Sequence, residues 1–239
     1  MGIHANTFLN DCSPPCGTVV DQKRGDLLLH ILVSIKQVPD TTNIRIDPET
    51  GNLIRKGVPT ILNPYDAHAA AAAAHWKRKL GGRVTVITMG PAAAETALQE
   101  CVEMGADRGI LISDRKFAGS DTLATSYVLA EAIHRIHEED PIDLILFGKQ
   151  AIDGDTAQVG PGVAVRLGFP LITYAVGIRE INLDERYAVV ERKTEAATEL
   201  IRGKLPAVLT VEKEIEDIPY ASLPDLIKSL QYQPEHWNA

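Results

Sequence analysis

The chain has 239 residues and a mass of 26.0 kDa, a length at which one hydrophobic core is usual. Hydrophobic residues make up 45% and charged residues 23%, which are globular proportions and exclude a wholly disordered or fibrous chain. The formal net charge of −8 opposes the attraction to phosphates that drives nucleic-acid binding, so a nucleic-acid partner is not expected.

Membrane, disulfide and metal functions are also disfavoured. The longest apolar runs, such as Ile31–Ile35, have the length of a strand and fall far short of a membrane span. Three cysteines are too few for a disulfide framework, which favours a reducing compartment and a cytoplasmic location. Cys12 and Cys16 have no second pair of ligands at a suitable spacing, so no metal site is predicted.

The chain begins with an aperiodic segment, residues 1–26, that predicts an irregular extension. From Leu27 a continuous apolar run predicts a strand covered on both faces. A short hairpin-like excursion is predicted over 44–52. An alanine-rich helix follows, with Asn63 or Asp66 as its N-terminal cap.

Strands and helices then alternate, which predicts a parallel, doubly wound, Rossmann-like α/β sheet with right-handed crossovers. The predicted strands are 83–88, 108–112 and 144–147, and the predicted helices are 92–104, 122–137 and 157–167. After Pro170 the pattern predicts an antiparallel excursion. Ligands of such sheets bind beyond the carboxyl ends of the strands, so the loops after Ser34, Thr88 and Phe147 are the predicted walls of one site.

The loop after Phe147 has the composition of a phosphate-binding loop. The backbone N–H groups of residues 154–156 and a helix start near Ala157 can converge on one anion. Asp153 and Asp155 would repel a phosphate, so we expect them to cap the helix, accept from ribose hydroxyls or bond to the loop's own amides. A plain capped connection with no ligand remains the alternative.

No motif for bond-breaking chemistry is present. The chain lacks G-x-G-x-x-G, the P-loop, the G-x-S-x-G elbow and H-E-x-x-H, and its histidine pairs are better explained as solvated positions than as metal ligands. With no pairing of nucleophile and base, we predict no catalytic residue. Binding of a cofactor that carries the chemistry fits better.

Several motifs in order resemble one known family. They are VSIKQVPD (33–40), ILNPYDAHA (61–69), VITMGP (86–91), MGADRGILISD (104–114), GSDTLATSYVLAEAI (119–133), GKQAIDGDTAQVGP (148–161) and LPAVLTVE (205–212). In these motifs the chain resembles the beta subunit of electron transfer flavoprotein. The resemblance implies an adenine-nucleotide-binding α/β domain over 27–210, and a partner-recognition loop with a C-terminal helix and extended arm over 211–239.

The resemblance also implies a heterodimer whose alpha subunit carries FAD. The beta subunit binds AMP in one branch; in the electron-bifurcating branch it binds a second FAD, which takes a hydride from NADH. The GDTAQVGP loop is similar to the second branch, so FAD is expected, with an acyl-CoA dehydrogenase or similar flavoprotein and ferredoxin as partners. The alternatives are an AMP-binding carrier of fatty-acid oxidation and, from another class, a stand-alone ATP-binding stress-type protein.

The family's site residues carry over by motif position. Those expected around the adenosine are Ser34, Asn63, Tyr65, Asp66, Thr88 and Met89. Those expected at the phosphates are Gly148, Lys149, Gln150, Asp153, Gly154, Asp155, Thr156, Ala157, Gln158, Val159, Gly160 and Pro161. For Asp66, a mere cap of its own helix remains the alternative.

The recognition loop of the family aligns with residues 211–220. Ile215 is expected to be an exposed apolar anchor for the partner, with Glu212 and Tyr220 beside it, although a lone surface isoleucine is also common. One departure concerns residues 195–199, where the family's Gly-Gly turn is replaced by Ala196-Ala197, which predicts a reshaped turn near the subunit interface.

Overall fold

The structure is a computed structural model that describes residues 28–40, 45–46, 53–54 and 59–239. The extension predicted over 1–26 lies outside the described residues. The helices are α1 (Pro64–Leu80), α2 (Glu95–Met104), α3 (Thr122–Glu139), α4 (Val159–Leu167) and α5 (Leu223–Gln231). The strands are β1 (His30–Ile35), β2 (Gln37–Pro39), β3 (Arg45–Ile46), β4 (Leu53–Ile54), β5 (Thr60–Leu62), β6 (Arg83–Met89), β7 (Arg108–Ile112), β8 (Leu144–Gly148), β9 (Leu171–Asn182), β10 (Tyr187–Lys193), β11 (Thr198–Lys204), β12 (Ala207–Val211) and β13 (Glu235–Trp237).

One nine-stranded sheet organises the protein, in the order β11-β10-β9-β12-β8-β1-β6-β7-β13. The strands from β12 to β7 in this order run parallel. The chain moves from β1 outward to β6 and β7, and then crosses back to build β8 and β12 on the other side of β1. The predicted doubly wound, Rossmann-like sheet is confirmed, and strand order reverses between β1 and β8.

Helices cover both faces of this sheet. Buried side chains of α1 and α2 belong to one apolar cluster, and those of α3 and α4 belong to another. Every residue of β1 is buried, as its unbroken apolar run predicts. The alanines of α1 at 69–74 are all buried, and their small side chains let the helix pack closely on β1 and β8.

Two short antiparallel pairs follow β1. Strands β3 and β4 pair, which confirms the predicted hairpin, and β2 pairs with β5 before α1 begins. The predicted start of α4 was wrong by two residues. Asp155 and Ala157 have φ of +50° and +53°, which the helix cannot include, so α4 begins only at Val159.

The predicted antiparallel excursion is confirmed, because β9, β10 and β11 pair antiparallel beyond β12. Between β10 and β11 the Thr194 hydroxyl donates to the Ala197 carbonyl and accepts from the Ala197 N–H. None of residues 194–197 has a positive φ. This side-chain closure lets alanines occupy a turn that the family builds with glycines.

The C-terminal residues predicted as an extended arm fold back onto the domain. Helix α5 packs against α2, and β13 pairs in parallel with β7 at the edge of the sheet. The Tyr232 hydroxyl accepts from the Gly109 N–H, and Arg108 pairs with Glu235. Among the described helices, none has the length and apolar character required to cross a membrane.

Candidate functional site

A cleft of about 340 Å³ opens where strand order reverses, beyond the carboxyl ends of β1 and β8. Its volume falls within the range of small-molecule and cofactor sites. Residues 34–36 at the end of β1 form one side, and residues 148–151 and 154–160, at the end of β8 and in the loop that follows it, form another. The location is the one that the strand pattern predicts.

Asp66 and Asn63 connect the two strand ends beneath this cleft. The Asp66 carboxylate accepts the Lys36 N–H at 2.7 Å and the Gly148 N–H at 3.0 Å. The Asn63 amide donates to the Gln150 carbonyl at 2.9 Å and accepts from a backbone N–H of the following turn at 3.2 Å. Asn63 occupies the N-terminal cap position of α1, as predicted, but neither its side chain nor that of Asp66 makes a capping hydrogen bond. Their spacing at the start of α1 instead fixes the floor of the cleft.

Burial dominates the electrostatics of Asp66, whose side chain is only 5% exposed. Desolvation raises the pKa of the Asp66 carboxyl from 3.8 to about 7, and the hydrogen bonds from Asn63, Lys36 and Gly148 offset only part of the increase. The carboxyl is thus a protonatable group at the base of the cleft, held between three chain segments.

The loop before α4 presents unused hydrogen-bond donors. Within the described chain, no hydrogen bond engages the backbone N–H groups of residues 156–160. All five residues line the cleft, and Gln158 at the N-terminal cap position of α4 makes no side-chain cap. Left-handed dihedrals at Asp155 and Ala157 alternate with ordinary ones, a geometry that turns successive N–H groups toward one point. The loop can therefore bind an anion.

The carboxylates of this loop are engaged, and neither caps α4. Asp155 accepts from the Gln150 side-chain amide at 2.7 Å, so this residue orders the loop from within. Asp153 binds the Lys36 ammonium at 2.7 and 2.8 Å. The expected helix-capping role of Asp153 and Asp155 was therefore wrong.

A second wall of the cleft was missed from the sequence. It comes from the loop after β7 and the start of α3, whose lining residues are Phe117, Gly119, Ser120, Asp121, Thr122, Thr125 and Leu129. Asp121 caps α3 by accepting the Ala124 N–H at 2.8 Å. Two helix N-termini, those of α3 and α4, therefore border one cleft. The signal was available, because β7 ends at the same edge of the parallel sheet as β1 and β8.

The family model described as the electron transfer flavoprotein domain matches residues 50–225 of this chain. The chain belongs to the electron transfer flavoprotein family.

Similar proteins agree with this assignment. "Protein FixA" of Azotobacter vinelandii is 47% identical over 210 residues, covering 88% of this chain and 75% of that protein. "Caffeyl-CoA reductase-Etf complex subunit CarD" of Acetobacterium woodii is 46% identical over 211 residues, covering 88% and 78%. "Electron transfer flavoprotein subunit beta" of Thermoanaerobacterium thermosaccharolyticum is 48% identical over 195 residues, covering 82% and 72%. These similarities place the chain with the beta-type subunits of the electron transfer flavoprotein family, which take part in electron transfer.

The structure brings most of the residues that were predicted to hold a nucleotide together in the cleft. Those that line it are Ser34, Asn63, Asp66, Met89, Gly148, Lys149, Gln150, Gly154, Asp155, Thr156, Ala157, Gln158, Val159 and Gly160. Four others do not line it. Tyr65 lies beside the Lys149 and Lys213 ammonium groups, at 6.0 and 5.1 Å from its ring centroid, and Pro161 lies inside α4. Asp153 binds Lys36, and Thr88 is buried beneath the cleft.

Thr88 carries an unsatisfied buried hydroxyl. It is 1% exposed, and its Oγ1 atom has no hydrogen-bond partner among the described residues. The next residue, Met89, lines the cleft. Buried hydroxyls without a partner are uncommon, so the end of β6 offers a polar group that a bound molecule or water could satisfy.

The recognition-loop prediction was wrong in one respect, because Ile215 is buried. Its side chain is 8% exposed and belongs to the apolar cluster with α1, in a short turn at Lys213–Ile215. Glu212 binds Lys149 at 2.9 Å and raises the pKa of that lysine. Tyr220, in contrast, is fully exposed. Within residues 211–220 the exposed apolar side chains are therefore Ile218 and Tyr220, which follow this turn.

The described residues contain no group of three or more histidine, cysteine, aspartate or glutamate side chains arranged to hold a metal ion. Cys101 is buried in α2 among apolar neighbours, and desolvation raises its pKa well above the ordinary value.

Proposed function

We propose that the cleft between β1 and β8 binds FAD and that the chain is the beta subunit of a bifurcating-type electron transfer flavoprotein. The observation that carries the proposal is the row of unused backbone N–H groups over residues 156–160 beside the α4 N-terminus. A second N-terminus, that of α3, lies on the same cleft. Two such positions suit the two phosphates of a dinucleotide better than a single phosphate.

The residues present fit an adenine nucleotide. The loop N–H groups would hold the phosphates, and Thr156 would add a hydroxyl donor. Ser34 and Met89, which line the cleft at the ends of neighbouring strands, would face the adenosine. Asn63 and Asp66 would keep the two sides of the cleft in register through their bonds to the backbone. The redox chemistry supplied by a flavin bound here would be hydride acceptance from NADH, followed by the transfer of single electrons to the next carrier.

A conventional AMP-binding carrier is the second candidate, and the size of the cleft favours it. A volume of about 340 Å³ is near the lower end of the range for cofactor sites and suits a mononucleotide. Family membership leaves the stand-alone ATP-binding alternative without support.

The proposal includes three protein partners. One is the alpha subunit of an electron transfer flavoprotein, which would form the heterodimer. Another is an acyl-CoA dehydrogenase or similar flavoprotein, and the third is ferredoxin, as a further acceptor. With Ile215 buried, docking would use Tyr220 and the exposed apolar face of α5, on which Leu223, Ile227 and Leu230 are 68%, 49% and 73% exposed. Aromatic and aliphatic anchors of this kind suit a protein interface.

Cofactor content tests the proposal directly. The chain would be co-purified with its alpha subunit and denatured, and the released FAD and AMP would be counted per heterodimer. We expect two FAD and no AMP. One FAD with one AMP would exclude the bifurcating type and establish the second candidate.

A matched pair of variants tests whether the loop is the site. Thr156→Asp places a carboxylate among the unused N–H groups at an exposed position, so we expect it to lose the beta-subunit nucleotide without unfolding. Asn238→Asp adds the same charge at an exposed position after β13, away from the cleft, and we expect full cofactor content. Equal cofactor content in both variants would contradict the assignment of the loop.

A further inference from the structure

Lys36 lies at the rim of the cleft with a fixed backbone. Its N–H donates to the Asp66 carboxylate at 2.7 Å, and that carboxylate is buried. Its ammonium group reaches across to the loop after β8, where it binds both carboxylate oxygens of Asp153 at 2.7 and 2.8 Å. The two side chains are 49% and 29% exposed. The backbone of Lys36 is therefore held by a hydrogen bond to a buried carboxylate, and its ammonium group is held by a solvent-exposed ion pair.

In the part of the chain that the structure describes, two lysines line the cleft, and they differ in how firmly their ammonium groups are held. Lys149 is 27% exposed, binds Glu212 at 2.9 Å and lies 5.2 Å from the Tyr174 ring centroid. Among the described residues, Lys36 forms one ion pair, with Asp153, a residue that does not line the cleft. Exposed ion pairs contribute little net stability, so the Lys36 ammonium can change partner at low cost.

The loop that carries Asp153 also carries the unused N–H groups of residues 156–160. An anion bound by those groups would lie in the cleft that Lys36 lines. A phosphate offers several charged oxygens to one ammonium, and charge-assisted hydrogen bonds of this kind are stronger than neutral ones. The Asp153 carboxylate and the phosphate therefore compete for one cation.

We propose that Lys36 binds a phosphate of the nucleotide and that Asp153 holds the Lys36 side chain at the rim until the nucleotide arrives. The inference rests on the proposed nucleotide function and adds a specificity-determining residue to it. Lys36 would discriminate phosphorylated ligands from the free nucleoside. When its ammonium group exchanges Asp153 for the phosphate, the ion pair that connects the loop after β8 to the end of β1 would be broken.

Titration of the full chain with ADP and with adenosine tests the inference. We expect Lys36→Met to weaken ADP binding about tenfold or more and to leave adenosine binding unchanged. Lys36→Arg keeps the charge and should retain most ADP affinity. Asp153→Asn removes the competitor and should bind ADP as tightly as the wild type or more tightly. Thermal unfolding of each variant shows that the fold is retained.

Three outcomes would overturn the inference, and they differ in what else they affect. If Asp153→Asn weakens ADP binding as much as Lys36→Met does, the pair is a structural tie that shapes the loop. If the wild type binds ADP and Lys36→Met binds it equally well, Lys36 does not contact the phosphate and the nucleotide site stands without it. If the wild type binds neither ADP nor adenosine, the proposed function fails as well.

Discussion

The Asp66 Oδ1 atom accepts the backbone N–H of Gly148 at 3.0 Å, which joins the start of α1 to the end of β8. The other carboxylate oxygen accepts from Lys36 at the end of β1. One buried side chain therefore spans the point at which strand order reverses. The contact also makes the separation of the two strand ends sensitive to the protonation state of a single carboxyl group.

The first prediction concerns the pH dependence of stability. The folded-state pKa of Asp66, about 7, exceeds the ordinary value of 3.8, so the native state binds this proton more tightly than the unfolded state. The contribution is fully present below about pH 4 and is lost as pH rises through about 7, with a slope of up to about 1.4 kcal/mol per pH unit. Asp66→Asn cannot titrate, so its free energy of unfolding relative to the wild type should change across this window in urea titrations. Asp184→Asn, at an exposed turn, should keep the wild-type profile.

The second prediction concerns the close approach of β8 to α1. A Cβ atom added at Gly148 would lie 2.2 Å from Asp66 Oδ1 and 2.7 Å from Tyr65 Cβ. We expect Gly148→Ala to lower the free energy of unfolding by about 1–3 kcal/mol, because the backbone must move apart. Gly154→Ala is the matched control, since a Cβ there meets nothing within 4 Å, and its unfolding free energy should change by less than about 1 kcal/mol. Similar losses in both variants would mean that the packing at Gly148 is not tight.

The third prediction separates folding from partner docking in the recognition loop. Ile215→Ala removes a buried side chain and should cost about 2–5 kcal/mol of unfolding free energy. Tyr220→Ala, at a fully exposed position, should change stability by less than about 0.5 kcal/mol but slow electron transfer to a flavoprotein partner. Stopped-flow reduction of the partner and thermal unfolding would measure the two effects. A stable Ile215→Ala variant with slowed transfer would instead restore Ile215 as the anchor.

The fourth prediction concerns the Asn63 amide, which bonds to both Gln150 and Ile152. Asn63→Ala leaves the Ile152 N–H and the Gln150 carbonyl without these partners. A buried polar group that loses its hydrogen-bond partner lowers the free energy of unfolding by about 1–3 kcal/mol. We expect faster hydrogen exchange at Ile152 and weaker nucleotide binding. Asn63→Asp keeps an acceptor for the Ile152 N–H and should retain more of its protection. Unchanged exchange in the alanine variant would show that the turn is ordered by other contacts.

The strand and helix pattern predicted the central sheet because the periodicity of a doubly wound fold is local. The unbroken apolar run at β1 and the alanine-rich α1 specify their elements without reference to distant residues. The predicted start of α4 was misplaced because the amino-acid composition of the loop does not indicate the positive φ angles of Asp155 and Ala157. A loop that holds its donors in strained dihedrals cannot be distinguished from the first turn of a helix.

The site was predicted where a strand end defines it and misjudged where tertiary packing does. Ile215 stands among charged residues in the sequence, which predicts exposure, yet a short turn folds it under α1. Asp66 appeared as a cap or a ligand because its partners, Lys36 and Gly148, lie far away in sequence. The wall of the cleft after β7 could have been predicted in the same way as the other two, because β7 ends at the same edge of the parallel sheet as β1 and β8.

The position of β13 beside β7 has a consequence for self-association. β13 covers the edge of β7 and is itself the last strand of the described sheet on that side, and β11 is the last strand on the other side, four strands away from β8. Strand β11 carries Glu199, Arg202 and Lys204, charges that discourage further pairing along an open edge. Any chain that did extend the sheet at β11 would leave the mouth of the cleft accessible to solvent and to incoming donors.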